Sequence, residues 1–475
     1  MKILLTEHAY VEISRCIDED PTDPLLINEN LFTEIKEENI RLFKRERGVN
    51  VYPFLLEQKN ENIFQLKADY YVGIDWLIKD KKFIQVEPKI NTKITATFEA
   101  ISNAPESDEQ QTEPKQWAPN KLPDVEYVEV DYLKMLLDIM SAGLPKQYTD
   151  NLVSIDWYSS QIPITQKEDH LTPFIVVQFL QLLKIIVQKG LKKTYYKVRK
   201  NVTNKVKGKI LVGAHIKKNV FKNYLTQTYC EYQAFGQNNI ENRFLKKVLT
   251  FAESYIENNI LCFAGNMNAV KNLINYCRPA FEHIDNDIDG DHIKQVRYNP
   301  FFKEYKEAIN TGRHILKRFA YNITQTSSEC KTTPPFWIDM PRLFELYFYM
   351  HILNANSADK NHIHYQFSTH GNSLDLLISK PGYQMVIDIK YKLHYLHGQV
   401  HQDIRQVAGY ARLKKVRRQL DLEDDQNIDC LIIYPDIKAS ASFDYSLSQL
   451  QNKMRLNPVA AYYKVYKLGF SLPTI

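Results

Sequence analysis

The sequence predicts a multidomain α+β protein that ends in an α/β core, and two patterns indicate this. Short runs of alternating apolar residues dominate residues 1–95, which is typical of β-strands. From about residue 336 the expected order is a helix at Pro341 to Leu353, a strand pair, a helix from about Gln402 to Leu413 and a strand at Cys430 to Tyr434. Helices that alternate with strands in this way form an α/β layer.

Changes of composition along the chain predict five segments. Residues 1–95 are expected to form a β-rich amino-terminal domain, and residues 96–125 a flexible linker because polar residues and proline dominate them. Residues 126–235 are interpreted as a domain with a basic β-hairpin, and residues 236–335 as a helical lead-in. Residues 336–475 complete the chain as the α/β core.

Composition excludes several classes of protein. The 475 residues are 44% hydrophobic and 25% charged, which is ordinary for a globular protein, and the net charge of +5 requires any nucleic-acid surface to be local. The six cysteines contain no C-x-x-C pair, which argues against a zinc site and fits a cytoplasmic location. No signal peptide is expected. The apolar stretch from Pro173 to Val187 includes Gln178, Gln181 and Lys184, so we predict a buried helix rather than a membrane span.

The segment from Ser373 to Leu393 carries the strongest functional signal. Two alternating apolar runs flank the turn residues Lys380-Pro381-Gly382-Tyr383. If the first and last of these face each other, the hairpin register places Asp375 opposite Asp388. Opposed side chains have Cβ atoms roughly 4.5–5.5 Å apart, and like charges there are destabilising unless something neutralises them. Lys390 would project from the same face as Asp388.

An Asp, Asp-x-Lys set of this kind is typical of sites that cleave phosphodiesters. We therefore predict that Asp375 and Asp388 hold Mg²⁺, for which Mn²⁺ can substitute, and that Lys390 orients or helps to deprotonate a water. The alternative is a surface hairpin whose charges face water. Against it, Asp388 lies between large apolar residues, where ionised groups are rarely left unpaired.

Three other residues could assist the same site. Glu345 is an acid within an apolar helix and could add a metal or water contact, or could simply be solvated. Gln406 and Tyr410 stand four residues apart on one helical face, where they could contact a phosphate or brace the lysine. The spacing of this pair is common in helices and is a weak signal by itself.

Two basic segments could contact DNA or an acidic partner. Residues 191–223 contain no Asp or Glu, and an alternating pattern predicts a β-hairpin at about 192–209. The candidate contacts there are Lys197, Arg199, Lys200 and Lys205. A second run, Lys414, Lys415, Arg417 and Arg418, could follow a DNA backbone. For both segments the alternative is a solvated surface.

Several segments together resemble McrC, the nuclease subunit of the McrBC modification-dependent restriction systems, and its LlaJI-like relatives. The matching segments are Tyr71-Val72-Gly73, Glu87-Pro88-Lys89-Ile90, Val206-Lys207-Gly208-Lys209-Ile210, Glu241-Asn242-Arg243-Phe244-Leu245-Lys246, Leu343-Phe344-Glu345, Asp375, Asp388-Ile389-Lys390-Tyr391-Lys392 and the Gln406 to Tyr410 helix.

The resemblance implies a PD-(D/E)xK (restriction-endonuclease-like) core at residues 336–475. Two departures are Leu374, where that pattern has proline, and Asp388 in place of the commoner glutamate, and neither removes a ligand. The resemblance also implies docking on a hexameric McrB-like AAA+ GTPase, with a finger inserted into the ring and cleavage of double-stranded DNA. By position, the finger is the hairpin at about 192–209 within a partner-docking domain at residues 126–235.

The expected function is therefore a Mg²⁺-dependent DNA endonuclease subunit of a phage-defence restriction system, with no membrane involved. Two alternatives are a catalytically inactive adaptor that activates the AAA+ ring and a stand-alone DNA repair or recombination nuclease. The intact Asp, Asp-x-Lys set argues against the adaptor. The large part of the chain outside the core argues against the stand-alone nuclease.

Overall fold

The computed structural model describes residues 1–16, 18, 22–35, 43–44, 50–91, 127–165, 169–263, 265–286, 302–324, 330–369, 372–392, 397–423, 426–437, 443–459 and 462–475. These residues form two compact units. The first contains Met1–Pro163 and Thr332–Ile475, and the second contains Ile164–Lys331. The mixed α and β architecture is as predicted, whereas the predicted linker at residues 96–125 lies outside the described residues and the domain boundaries stay predictions.

The described strands, in chain order, are β1 Lys2–Thr6, β2 Tyr10–Cys16, β3 Leu26–Asn28, β4 Phe43–Lys44, β5 Asn50–Val51, β6 Phe54–Asn60, β7 Ile63–Ala68, β8 Tyr71–Ile78, β9 Lys82–Glu87, β10 Lys89–Asn91, β11 Tyr127–Glu129, β12 Val153–Ile155, β13 Ile162–Thr165, β14 Thr194–Thr203, β15 Lys209–Ile210, β16 Gln227–Gly236, β17 Cys330–Thr333, β18 Phe336–Asp339, β19 Ile363–Thr369, β20 Asn372–Ile378, β21 Met385–Ile389, β22 Asp429–Pro435 and β23 Val465–Phe470. The described helices are α1 Glu29–Phe32, α2 Tyr132–Ala142, α3 Lys146–Thr149, α4 Leu171–Lys189, α5 Val212–Lys218, α6 Ile240–Asn258, α7 Met267–Cys277, α8 Lys303–Thr324, α9 Met340–Ala355, α10 His397–Ala411, α11 Lys414–Gln419 and α12 Leu447–Arg455.

A five-stranded sheet forms the centre of the carboxy-terminal core, in the order β19-β20-β21-β22-β23. β19, β20 and β21 pair antiparallel, and β22 and β23 continue the sheet as parallel strands. Every residue of β21 and β22 is buried, as expected for central strands covered on both faces. α10 packs against β21 and β22. The predicted helix, hairpin, helix and strand are all present in the predicted order.

The amino-terminal strands of the first unit form two larger sheets. One has the order β1-β9-β8-β18-β12 and the other β3-β2-β7-β6. Residues of both sheets contribute to one buried apolar cluster, which includes Ile13, Leu66, Ile84 and Trp337. β18 pairs antiparallel with β8 and directly precedes α9. The side chain of Asp339, the last residue of β18, accepts a hydrogen bond from the backbone N–H of Arg342 and so caps α9. A strand of the amino-terminal sheet thus leads straight into the core.

The second unit is a helical bundle that carries an exposed β-ribbon. α4 packs against α7 and α8, and α6 packs against α8. α4 is long and apolar enough to cross a membrane, but 67% of its most apolar window is buried inside the protein. This burial agrees with the interpretation of Pro173 to Val187 as a core helix.

The ribbon corrects the hairpin expected at about residues 192–209. β14 pairs along its whole length with β16, from Thr194 opposite Gly236 to Thr203 opposite Gln227, and not with the residues that follow it. Residues 204–226 are inserted between these strands and contain β15 and α5. The sequence pattern identified the first strand but not its partner, because the partner lies beyond a helix.

Two of the motifs that resemble McrC support this ribbon, one within it and one in the helix that follows it. Gly208 has a φ of +72°, and a Cβ atom there would lie 2.4 Å from the carbonyl oxygen of Glu231, so only glycine lets the backbones approach. Asn242, fully buried in α6, donates to the carbonyl oxygens of Lys192 (3.0 Å) and Gln237 (2.7 Å) and accepts from the hydroxyl of Tyr305 (2.8 Å). These bonds fasten the ribbon's base to the helical bundle.

Candidate active site

The turn at Lys380-Pro381-Gly382-Tyr383 closes β20 onto β21 in the predicted register. The Tyr383 N–H donates to the carbonyl oxygen of Lys380 at 2.9 Å, and Gly382 has a φ of +84°, as a turn with proline before glycine requires. The paired residues are Leu376 with Ile387, Leu377 with Val386 and Ile378 with Met385. The register that was expected to bring the two aspartates together is therefore correct.

The next position in this register brings Asp375 to Asp388. The ladder stops there, and Oδ2 of Asp375 instead accepts a hydrogen bond from the backbone N–H of Ile389 at 2.6 Å. Asp388 is only 1% exposed because apolar residues of β21 surround it on the strand. A carboxylate thus takes the place of a backbone acceptor at the end of the hairpin.

Lys390 connects the acids to α10. Its Nζ lies 3.0 Å from Oδ2 of Asp388 and donates to Oε1 of Gln406 at 2.9 Å. The contact with Asp388 is an ion pair without hydrogen-bond geometry, so among the described residues this buried oxygen accepts no hydrogen bond. Nε2 of Gln406 donates to the hydroxyl of Tyr410 at 2.6 Å. The structure therefore places Asp388, Lys390, Gln406 and Tyr410 in one chain of contacts, and Asp375 is bonded to the backbone of Ile389, the residue after Asp388.

The electrostatics show an excess of buried negative charge. Burial raises the pKa of Asp375 well above its usual range, and the nearby Glu345 and Asp388 raise it further. Burial also raises the pKa of Asp388, although Lys390 opposes this. For Lys390, burial lowers the pKa, but the attraction of Asp388 and Asp375 outweighs burial and raises it. One ammonium is thus shared among several acids.

Glu345 belongs to the same electrostatic group. Its pKa rises to about 7, first because it is buried and then because Asp339 lies near, while Lys390 lowers it. Its Oε2 accepts a long hydrogen bond of 3.4 Å from the hydroxyl of Tyr365. Glu345 is therefore close enough to influence the aspartates, and its role as an accessory ligand stays a prediction.

The donor set suits a hydrated hard cation better than a fully protein-coordinated one. No group of three or more His, Cys, Asp or Glu side chains in the described part of the chain is arranged to hold a metal ion. Mg²⁺, however, usually keeps several waters and takes only one or two carboxylates from the protein. Asp375 and Asp388 could supply those two, since they lie at the same end of the hairpin and Oδ2 of Asp388 accepts no hydrogen bond from another described residue.

Sequence reasoning missed two residues around this site, Glu7 and Asp403. The hydroxyl of Tyr391 donates to Oε2 of Glu7 at 3.0 Å. Nζ of Lys392 donates to Oδ2 of Asp403 at 2.6 Å. Asp403 could have been found, because it shares the buried face of α10 with Val407. Glu7 gives no local signal, since it is 384 residues from its partner.

The other predicted contact residues lie on the ribbon of the second unit. Lys197, Arg199, Lys200 and Lys205 are all exposed. Nε of Arg199 donates to Oε2 of Glu231 on β16 at 2.6 Å. Their role in binding DNA or a partner stays a prediction.

Comparison with known proteins places the chain in a family. A family model described as "McrBC 5-methylcytosine restriction system component" matches residues 63–435. Among curated proteins none matches. A chain of the refined half-complex from the tetradecameric assembly of Thermococcus gammatolerans McrB AAA+ hexamers with bound McrC is 15% identical, with 99% of this chain and 94% of that chain covered and a TM-score of 0.34. A chain of the cryo-EM structure of the Thermococcus gammatolerans McrBC complex is 16% identical, with coverage of 75% and 88% and a TM-score of 0.27.

At these identities and TM-scores the assignment depends on the family model, which spans well over half of the chain. The residues it matches include both the ribbon and the acidic strand pair described above. The chain therefore belongs to the family of McrBC 5-methylcytosine restriction system components.

Proposed function

We propose that this protein is the DNA endonuclease subunit of an McrBC-like restriction system and that it depends on Mg²⁺. The observation that carries the proposal is the convergence of Asp375, Asp388 and Lys390 at one end of a buried strand pair. Family membership supports a role in restriction, and hence in defence against phage. A PD-(D/E)xK core is the fold that this combination of strand order and side chains supports best.

Asp375 and Asp388 would hold the cation, with Mn²⁺ able to substitute for Mg²⁺. When bound there, the metal supplies a water of lowered pKa and neutralises negative charge on the phosphate. The two aspartates lie at the same end of the hairpin because its register places position 375 opposite position 388. Glu345 would add a contact through a metal-bound water.

Lys390 would stabilise the charge that develops on the phosphate and orient the attacking water. Its raised pKa keeps the ammonium protonated, which favours these roles over proton abstraction. Gln406 accepts a hydrogen bond from the same ammonium that pairs with Asp388, and Tyr410 accepts one from the Gln406 amide. The helix thereby fixes the position of the lysine head group.

An AAA+ GTPase ring is the proposed partner. In the Thermococcus gammatolerans assembly, McrC is bound to McrB AAA+ hexamers. In this chain the ribbon offers exposed cations, and residues 204–226 add exposed apolar side chains, with Phe221 80% and Leu225 82% exposed. We infer that this ribbon is the finger that docks on the ring.

The test compares Asp388→Asn with the unaltered protein, each assembled with its ring partner on modified plasmid DNA. We expect cleavage to be abolished and stimulation of GTP hydrolysis to be retained, together with loss of Mg²⁺ or Mn²⁺ binding by calorimetry. Asp359→Asn is the matched control, because Asp359 pairs with Lys380 at the turn of the same hairpin. Retained cleavage by Asp388→Asn would overturn the assignment.

A non-catalytic adaptor is the second candidate, and the lack of a three-residue acidic group among the described residues is the observation that favours it. An adaptor would stimulate hydrolysis of the nucleotide by the ring and would leave plasmid DNA intact with either metal. The same pair of assays therefore separates the two functions.

A further inference from the structure

We propose that the exposed face of α10 is a binding surface for the sugar–phosphate backbone of duplex DNA. The face consists of Arg405, Gln406 and Gly409 on α10, together with Arg412, the first residue after the helix, and all four are exposed. Residues three or four apart lie on one side of a helix, so these four form a continuous strip. The inference extends the proposed nuclease function, because the strip begins beside the catalytic lysine.

The first observation is that neither the backbone angle nor packing within the protein requires a glycine at position 409. Gly409 lies inside α10, where glycine is the poorest helix former after proline. It does not have a positive φ, so it is not the left-handed residue that ends a helix. A Cβ atom built on it meets no heavy atom within 4 Å, so no internal packing excludes a side chain. The helix surface at Gly409 is therefore open and carries no side chain, which permits close approach by another molecule.

The second observation is the charge on either side of this glycine. Arg405 precedes it by four residues and Arg412 follows it by three, and neither has an ion pair or side-chain hydrogen bond to another described residue. The two arginines are seven residues apart, or about 10 Å along the helix. At about 3.4 Å of duplex axis per phosphate, that length spans about three phosphates of one strand.

In the basic run that follows Arg412, the side chains of two residues form hydrogen bonds within the protein, whereas those of Arg405 and Arg412 form none to another described residue. Nζ of Lys415 donates to the carbonyl oxygen of Ser368 at 2.7 Å, and Arg417 donates to the carbonyl oxygen of Gln426 at 2.8 Å. Both therefore stabilise the fold. Lys414 is exposed and extends the line of available charge beyond Arg412.

The third observation is continuity with the proposed active site. Gln406, next to Arg405 on the helix, accepts the hydrogen bond from the Lys390 ammonium. A backbone lying over Gly409 would therefore be led to Lys390 and Asp388. A surface that offered only positive charge would bind any polyanion. A glycine between two arginines also leaves a shallow gap between them, which fits a narrow chain such as a phosphodiester backbone.

The test measures binding of a fluorescent DNA duplex to the full chain in the presence of a chelator, as a function of salt concentration. We expect the double variant Arg405→Ala/Arg412→Ala to bind at least tenfold more weakly and to reduce the slope of log K against log salt by about two. Arg455→Ala is the matched control, because Arg455 is an exposed arginine on α12 of the same unit. It should change neither quantity.

A glycine series separates contact from folding. Gly409→Ala should raise the midpoint of thermal unfolding slightly, since alanine favours the helix. Gly409→Leu should keep a midpoint at or above that of the unaltered protein and bind the duplex at least tenfold more weakly. A loss of DNA binding without a loss of stability is the result that a purely structural glycine would not produce.

Two results would overturn the proposal. One is unchanged duplex binding by the double arginine variant and by Gly409→Leu. The other is unchanged duplex binding with lost stimulation of the ring, which would assign the face to the protein partner. Because the chelator removes metal and no cleavage is scored, these results are independent of whether Asp388 proves catalytic.

Discussion

The β20–β21 hairpin and the β14–β16 ribbon are both antiparallel strand pairs that carry lysines, yet they use charge in opposite ways. In the hairpin, neighbouring strands and α10 cover the charged groups, so Asp375, Asp388 and Lys390 shift one another's pKa values. In the ribbon, Lys197, Lys200 and Lys205 face solvent. Burial strengthens the interactions among these charges, because electrostatic interactions are stronger away from water. Exposure leaves charge available for attraction to a partner.

The two pairs also differ in how their register is set. Four turn residues close the hairpin, so adjacent sequence defines which residues face each other. The ribbon is closed by an insertion at residues 204–226, and its register depends on contacts such as the approach of Gly208 to Glu231. The following variants test this contrast, beginning with the largest expected effect.

Replacing the partly buried Lys390 should affect chemistry, whereas replacing a ribbon lysine should affect docking. Lys390→Met should slow single-turnover cleavage by about 10²–10⁴-fold, the usual range when a positioned proton donor or charge stabiliser is lost. Lys200→Met should weaken association with the ring and leave the cleavage rate of the saturated complex unchanged. Equal losses of single-turnover rate in both variants would remove the distinction between the two strand pairs.

A side chain at Gly208 should destabilise the ribbon. Gly208→Ala places a Cβ atom 2.4 Å from the Glu231 carbonyl oxygen at a φ of +72°. We expect a loss of about 1–3 kcal/mol in the free energy of unfolding, measured with urea. Gly213→Ala is the control, since nothing lies within 4 Å of its Cβ position. A Gly208→Ala protein as stable as the control would show that the backbone can relax.

Glu7 should make stability depend on pH. Burial raises its pKa to about 8 from a usual value near 4.5, and Tyr391 opposes this by donating a hydrogen bond. The folded protein therefore binds this proton more tightly than the unfolded chain, so the contribution of Glu7 to stability is greatest below about pH 4.5 and is lost as pH rises to about 8. The slope should approach about 1.4 kcal/mol per pH unit.

The variant that tests this is Glu7→Gln, which keeps the size of the side chain and cannot ionise. It should unfold at higher denaturant concentration than the unaltered protein at pH 8, and the difference should shrink towards pH 5. Asp69 raises the pKa of Glu7 further, so Asp69→Asn should give a smaller change in the same direction. A difference independent of pH would show that Glu7 does not titrate in this range.

The smallest effect on stability is expected at the ribbon surface. Arg199 pairs with Glu231, and the arginine side chain is 62% exposed. Solvent screens such pairs, so Arg199→Ala should leave the thermal unfolding midpoint unchanged within error. The same variant should reduce stimulation of the ring's GTP hydrolysis. A clear drop in the unfolding midpoint would instead give this ion pair a structural role.

Much of the proposed site could be derived from local sequence. The turn residues and the two-residue period of the strands were enough to predict that Asp375, Asp388 and Lys390 lie close together. Both signals depend only on residues that are neighbours along the chain. The same holds for Gln406 and Tyr410, which one turn of helix brings together. Chain geometry alone enforces contacts of this kind.

Contacts between distant segments could not be read from the sequence. The pairing of β14 with β16, the bond from Tyr391 to Glu7 and the anchoring of the ribbon by Asn242 all join residues whose separation carries no periodic signal. Folding selects them through the combined burial of many side chains, which no short window of sequence contains. Local sequence thus determined which candidate site residues lie together, and long-range packing determined their low exposure, their shifted pKa values and the contacts that hold them in place.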